Sequence, residues 1–187
     1  MLANLPNVIT AVRIVLLIPI AWLLWESRYV EALVLTTVAG ASDAVDGWLA
    51  RRFDAVSELG AALDPVADKL MVASIFIILA IQGHLPLWLA VIILGRDLVI
   101  MSGAGVYRLL FGAIEFAPTL LSKANTAMQI ATALALLVWL CGFGALSELA
   151  GVLLDPYGFY LLAVLGISSG LDYVVTWSRR AWREAHS

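Results

Sequence analysis

Four aspartates stand at fixed spacing in an otherwise apolar chain: Asp43, Asp46, Asp64 and Asp68. With Gly47, Ala50, Arg51 and Gly60 they form the pattern D-x2-D-G-x2-A-R-x8-G-x3-D-x3-D. On helices, Asp43 and Asp46 share one face at i, i+3, and Asp64 and Asp68 share one at i, i+4. Carboxylates gathered in a partly desolvated place raise each other's pKa. Divalent cations remove that conflict, and an all-oxygen donor set suits Mg²⁺ or Mn²⁺. A pair of such ions suits phosphoryl transfer, because it orients a diphosphate and stabilises the leaving oxygen. Gly47 and Gly60 have no side chain to keep a ligand off the helix backbone. Arg51 can neutralise a phosphate or pair with a carboxylate. Pro65 removes one backbone hydrogen bond from its helix, which favours a bend beside the cluster.

The elements that position these groups belong in a membrane. Of the 187 residues 63% are hydrophobic and 13% charged, with a mean hydropathy of +0.97. Soluble domains average roughly 45–50% apolar and ~25% charged residues. We therefore expect an all-α integral membrane protein of one domain, residues 1–187, with six transmembrane helices. The spans are expected near Asn7–Trp25, Val30–Ala50, Leu59–Ile81, Leu87–Tyr107, Lys123–Phe143 and Tyr157–Trp177, each close to the ~20 residues a crossing needs. The first reads as a span and not a signal peptide, since no basic segment precedes it. Short connections at Glu26–Tyr29 and Gln82–Pro86 make their flanking helices antiparallel neighbours. Leu109–Leu121 and Ala145–Pro156 read as apolar connections lying in the interface. Cys141 is alone, which excludes an internal disulfide.

Charge sets the orientation. Arg51 and Arg52 in the 2–3 loop, Arg108 and Lys123 in the 4–5 loop, and Arg179, Arg180 and Arg183 in the tail share one side. Only Arg28 stands opposite, a bias that puts both termini and the 2–3 loop in the cytosol. Trp177 and Trp182 suit an interfacial belt. Both aspartate pairs then lie ~10 Å inside the cytosolic boundary, at about 1.5 Å per residue. A purely structural salt-bridge network with Arg51 and Lys69 is disfavoured, because acids outnumber bases. A cation or proton transporter is disfavoured because its site would sit nearer the midplane, between repeats. His84 is on the far side and His186 in the tail, so neither serves the cluster.

The pattern resembles the signature of the CDP-alcohol phosphatidyltransferases, membrane enzymes of phospholipid synthesis, and all eight specified positions agree. Asn4–Thr10 and Arg13 resemble the start of that family's first helix. Leu63–Met71 (LDPVADKLM) resembles the members that make phosphatidylglycerophosphate and cardiolipin. The likeness runs from residue 4 to about 135, and the last span is unspecific.

The resemblance implies a six-helix bundle, a homodimer, CDP-diacylglycerol as donor, two Mg²⁺ or Mn²⁺ ions, and no nucleic-acid partner. It implies a bacterial inner membrane, with the site facing cytosol and lipid. Asp43, Asp46, Asp64 and Asp68 match the metal ligands, and Asp68 also the general base. Asn7, Thr10, Asp43, Gly47, Arg51, Ser57 and Gly60 match the CDP-binding end; Ser57 could equally cap the third helix.

The acceptor is less determined. Arg96, Arg108 and Lys123 are the candidates to hold its phosphate, though Arg108 and Lys123 could be plain positive-inside anchors and Arg96 could simply pair with Asp97. The run Ser122–Gln129 (SKANTAMQ), with Arg96-Asp97 and Arg108, looks more like the branch that transfers to phosphatidylglycerol and makes cardiolipin. Glycerol 3-phosphate is the alternative acceptor. A non-catalytic lipid-binding member would carry a damaged motif, and this one is intact.

The charge bias makes a direct prediction. A cysteine introduced at Ala55 resists an impermeant thiol reagent in intact cells, whereas one at Gly83 reacts. The reverse labelling would overturn the orientation.

Overall fold

The computed structural model describes residues 5–52, 58–111 and 119–185, with side chains described for 15–42, 69–103, 105–106 and 119–179. Ser57 lies outside the described residues. Short turns apart, the described residues are helical: α1 (Leu5–Trp25), α2 (Tyr29–Arg52), α3 (Glu58–Ile81), α4 (Leu87–Phe111), α5 (Leu120–Cys141), α6 (Ala145–Leu153) and α7 (Phe159–Ala185). A kinked segment, Leu154–Gly158, joins the last two, with Asp155 in extended backbone at φ −108°, ψ 114°.

Six of the helices have 21 to 27 residues and α6 has nine. Their boundaries follow the expected segments closely at Trp25, Ile81 and Leu87. Elsewhere the helices outrun the apolar stretches. Arg51 and Arg52, expected in a loop, form the end of α2. Arg108 belongs to α4, Lys123 to the first turn of α5, and Arg179, Arg180 and Arg183 to α7. For the arginines towards the C-terminal ends of α2, α4 and α7 the cause is general: cations there interact favourably with the helix dipole, so a charged residue ends an apolar run without ending the helix. Ala145–Pro156, expected as an interfacial connection, supplies α6 and part of the kink that follows it.

The core lies where α1, α3, α4, α5 and α7 meet. Leu24, Phe76, Leu79, Leu89, Leu136, Leu137 and Leu162 have no solvent exposure there. α2 packs on α1 and α5, and α3 packs on α1, α4 and α5. Outward faces are apolar as well: Ile18, Trp22, Val91, Leu98, Val164 and Leu171 are all more than half exposed. In water such continuous apolar surface is a liability; against hydrocarbon it is the favoured exterior. Two segments, Leu120–Cys141 and Ala145–Arg179, are long and apolar enough to cross a membrane among the described residues.

The ends are fastened locally. Thr119 caps α5 by accepting from the Ser122 backbone N–H at 3.2 Å. Gly142 ends α5 in the left-handed conformation, φ 69°, which costs glycine least. Gln82 donates to the carbonyls of Leu24 and Trp25, tying the 3–4 loop to the end of α1. His84 Nε2 lies 2.8 Å from the Tyr29 hydroxyl, with the two rings edge to face. His84 therefore braces the end of the bundle opposite the aspartates.

Candidate functional site

The motif divides between two helices that both pack on α1 and α5. α2 carries Asp43, Asp46, Gly47 and Arg51, and α3 carries Gly60, Asp64 and Asp68, continuing through Pro65. Asn7 and Thr10 are in the first turns of α1, and Arg108 is in the last turn of α4. The side chains of these residues lie outside the described ones.

Directly beside the motif, on α3, begins a described polar network. Lys69 Nζ donates to Asp97 Oδ1 at 2.7 Å. The same oxygen accepts from Arg96 Nη1 at 2.5 Å. Arg96 Nη2 donates to Ser122 Oγ at 2.7 Å and to Ser169 Oγ at 2.9 Å, and Nε lies 3.3 Å from Ser169 Oγ. Four of the five guanidinium N–H groups are thus taken by protein, and Arg96 is 6% exposed. A buried guanidinium needs this satisfaction, since an unpaired buried charge is costly. The expectation of an Arg96–Asp97 pair is met, but the pair is part of a larger device: one carboxylate and one arginine bind α3, α4, α5 and α7 together.

Sequence reasoning missed α7's part in it. Ser169 accepts two of the Arg96 bonds from a span read as unspecific. A signal was present in Gly166 and Gly170, the small-xxx-small spacing of close helix packing. A Cβ added at Gly166 would stand 3.3 Å from Ile92 Cγ2, so α7 closes on α4 through it.

The segment Ser122–Gln129 now has distinct parts. Ser122 holds Arg96, and the Thr126 hydroxyl donates back to the Ser122 carbonyl at 3.1 Å. Lys123, an expected phosphate ligand, is exposed in the first turn of α5, one residue beyond the serine that holds Arg96. Asn125 is fully buried, with neither amide atom hydrogen-bonded. Gln129 reaches a cavity of about 390 Å³ whose walls come from α2, α3, α4 and α5 and include Gly40, Lys69, Val72, Asp97 and Thr126.

The sequence that builds this site is matched by known proteins. The CDP-alcohol phosphatidyltransferase family model covers residues 3–168. The chain belongs to the CDP-alcohol phosphatidyltransferase family. It is 34% identical, over 96% of its length, to a cardiolipin synthase (CMP-forming)/mitochondrial hydrolase fusion protein of Schizosaccharomyces pombe. It is 47% identical, over 53% of its length, to a CDP-diacylglycerol–glycerol-3-phosphate 3-phosphatidyltransferase of Pseudomonas fluorescens. A Bacillus subtilis protein of the same description is 30% identical over 91% of the chain. The chain spans 32% and 53% of the first two relatives and 93% of the third. Both acceptor types expected from the sequence therefore occur among the family members it resembles.

The network yields a stability prediction. Asp97→Asn leaves Lys69 and Arg96 without their shared anion in a low-dielectric setting, and costs ~3 kcal/mol. Ser169→Ala removes hydrogen bonds to a charged group and costs ~1.5–3 kcal/mol. Chemical unfolding in detergent micelles measures both; an Asp97→Asn protein as stable as the parent would show that the network is not structural.

Proposed function

We propose that this CDP-alcohol phosphatidyltransferase moves the phosphatidyl group of CDP-diacylglycerol to an acceptor hydroxyl and releases CMP, at a site on α2 and α3 open to cytosol and lipid. The reading is supported above all by the intact eight-position motif on two helices that wall one cavity. By helical spacing Thr36, Gly40, Asp43 and Gly47 follow one register of α2, and Asp64, Asp68, Val72 and Ile75 follow one register of α3. Thr36, Gly40, Val72 and Ile75 line the cavity. The registers that carry the acids therefore lead into a space sized for part of a lipid.

The donor set of Asp43, Asp46, Asp64 and Asp68 is all carboxylate, which fits Mg²⁺ or Mn²⁺. Such ions, when bound, orient the diphosphate and offset charge on the leaving oxygen. The chain's own groups do the rest. Asp68 accepts the proton of the acceptor hydroxyl. That oxygen forms a bond to the lipid-side phosphorus, the bond from phosphorus to the CMP oxygen breaks, and CMP leaves with the electron pair. Arg51 neutralises the departing phosphate, Gly47 and Gly60 leave room for the nucleotide, and Asn7, Thr10 and Ser57 hold its CDP end.

Arg96, Arg108 and Lys123 are proposed to serve the acceptor phosphate. With most of its N–H groups engaged, Arg96 would act chiefly by fixing the start of α5, where Lys123 stands. The acceptor we favour is phosphatidylglycerol, giving cardiolipin: Leu109, Leu110, Phe111, Ile114 and Phe116 around the basic residues suit an acceptor that arrives from the bilayer. Glycerol 3-phosphate remains the second reading, favoured by the full-length match to the Bacillus subtilis protein. The six long helices are proposed to cross a bacterial inner membrane, and the chain to act as a homodimer.

Labelled CDP-diacylglycerol supplied with each acceptor separately tests the assignment. Cardiolipin from phosphatidylglycerol is expected; product from glycerol 3-phosphate alone would reassign the acceptor. Asp68→Asn is expected to keep the KM for CDP-diacylglycerol while losing ~10²–10⁴-fold in kcat, the contribution of a general base. Near-parental kcat in that variant would place the base elsewhere.

A further inference from the structure

Two polar groups at the cavity have no hydrogen-bond partner among the described residues. Thr36 Oγ1 on α2 and Gln129 Nε2 on α5 are buried without a hydrogen-bond partner, in residues only 7% and 3% exposed. Both residues line the cavity. A buried unsatisfied donor costs ~1–3 kcal/mol, and native proteins keep few of them. The wall they share is mainly apolar, with Val72, Ile75, Ile130, Ala133 and Leu134, and carries the Lys69–Asp97 pair and Thr126 as well.

These features define a ligand. An amide nitrogen can only donate, so the ligand must present an acceptor oxygen. The apolar walls require hydrocarbon around that oxygen. A phosphate beside Thr36 and Gln129 would meet a mostly apolar wall, the one lysine on it, Lys69, being already paired to Asp97, and a polyol would leave hydroxyls unsatisfied there. An ester carbonyl flanked by alkyl chain meets both demands.

Depth agrees. Thr36 precedes Asp43 by seven residues on α2, and Ile75 follows Asp68 by seven on α3, each about 10 Å along its helix. Both displacements run away from the motif end of the antiparallel pair. A lipid whose diphosphate is held at the aspartates carries its glycerol esters in that direction. Gly40 stands between Thr36 and Asp43 on α2, and a Cβ there would meet no atom within 4 Å, so α2 is open at that point.

We propose that Gln129 and Thr36 donate hydrogen bonds to ester carbonyl oxygen of the donor's diacylglycerol, so that the protein selects ester-linked over ether-linked CDP-lipid. The inference deepens the functional reading above and rests on it. Gln129 and Thr36 are specificity residues, since they touch the lipid backbone and not the reacting phosphorus.

The test compares kcat/KM for CDP-diacylglycerol and for the CDP-dialkylglycerol of equal chain length, using the purified full chain in mixed micelles. Phosphatidylglycerol and glycerol 3-phosphate are supplied in parallel. The parent protein is expected to prefer the diester about tenfold, as one or two net hydrogen bonds dictate. Gln129→Met and Thr36→Val each keep the volume roughly and remove the donor, and each is expected to bring the ratio towards one. Turnover of the ether lipid in the same preparation shows that a variant is folded, and either variant suffices. A parent protein that does not discriminate, or variants that keep its full preference, would overturn the inference alone. Failure of the parent to use CDP-diacylglycerol with either acceptor would overturn the functional reading and this inference with it.

Discussion

On the proposed function, repulsion between carboxylates in a low-dielectric setting is the constraint on which the rest of this protein turns. Asp43, Asp46, Asp64 and Asp68 occur within 26 residues of a chain that is otherwise 63% hydrophobic. Each unpaired charge in such a place costs several kcal/mol. No fold built for stability alone would choose that arrangement. It becomes reasonable when divalent cations bring the compensating charge and in turn hold an anionic diphosphate, and the helices must then be held so that the acids do not simply splay apart.

The described part of the bundle shows how such rigidity is obtained next to the motif. Lys69 immediately follows Asp68 and is paired to Asp97, and Asp97 is paired to Arg96, whose remaining donors reach Ser122 and Ser169. α3 is thereby tied through one carboxylate to α4, α5 and α7. Asp97 neutralises one of two cations, so the network keeps a net positive charge near the acidic motif, which suits the anionic lipid proposed to bind there. At the other end the fastening is lighter: Gln82 on two carbonyls, and Tyr29 against His84. The stronger polar fastening among the described residues thus lies on the motif's side.

The motif and the helices that bear it could be read from the chain because they depend on residue type and spacing. Short connections at Glu26–Tyr29 and Gln82–Pro86 were equally legible, since apolar runs stop abruptly there. What was not legible depended on tertiary neighbours. Arg51, Arg52 and the arginines of α7 looked like loop and tail because hydropathy reports where lipid ends, not where hydrogen bonding ends. Ser169 looked like any small residue until Arg96 was found against it. Gln129 looked like part of a motif; its burial without a partner, beside a cavity, emerges only when α2, α3 and α5 are brought together. The aspartates' own side-chain positions lie outside the described residues, so their convergence stays an argument from spacing and chemistry.

That convergence is the central claim, and metal binding tests it most directly. Electron paramagnetic resonance of the purified protein titrated with Mn²⁺ in the presence of CDP-diacylglycerol reports both stoichiometry and proximity. Two bound ions with a spin-coupled spectrum are predicted, with the coupling lost in Asp43→Asn and in Asp64→Asn. No bound Mn²⁺, or binding that both substitutions leave unchanged, would contradict the account.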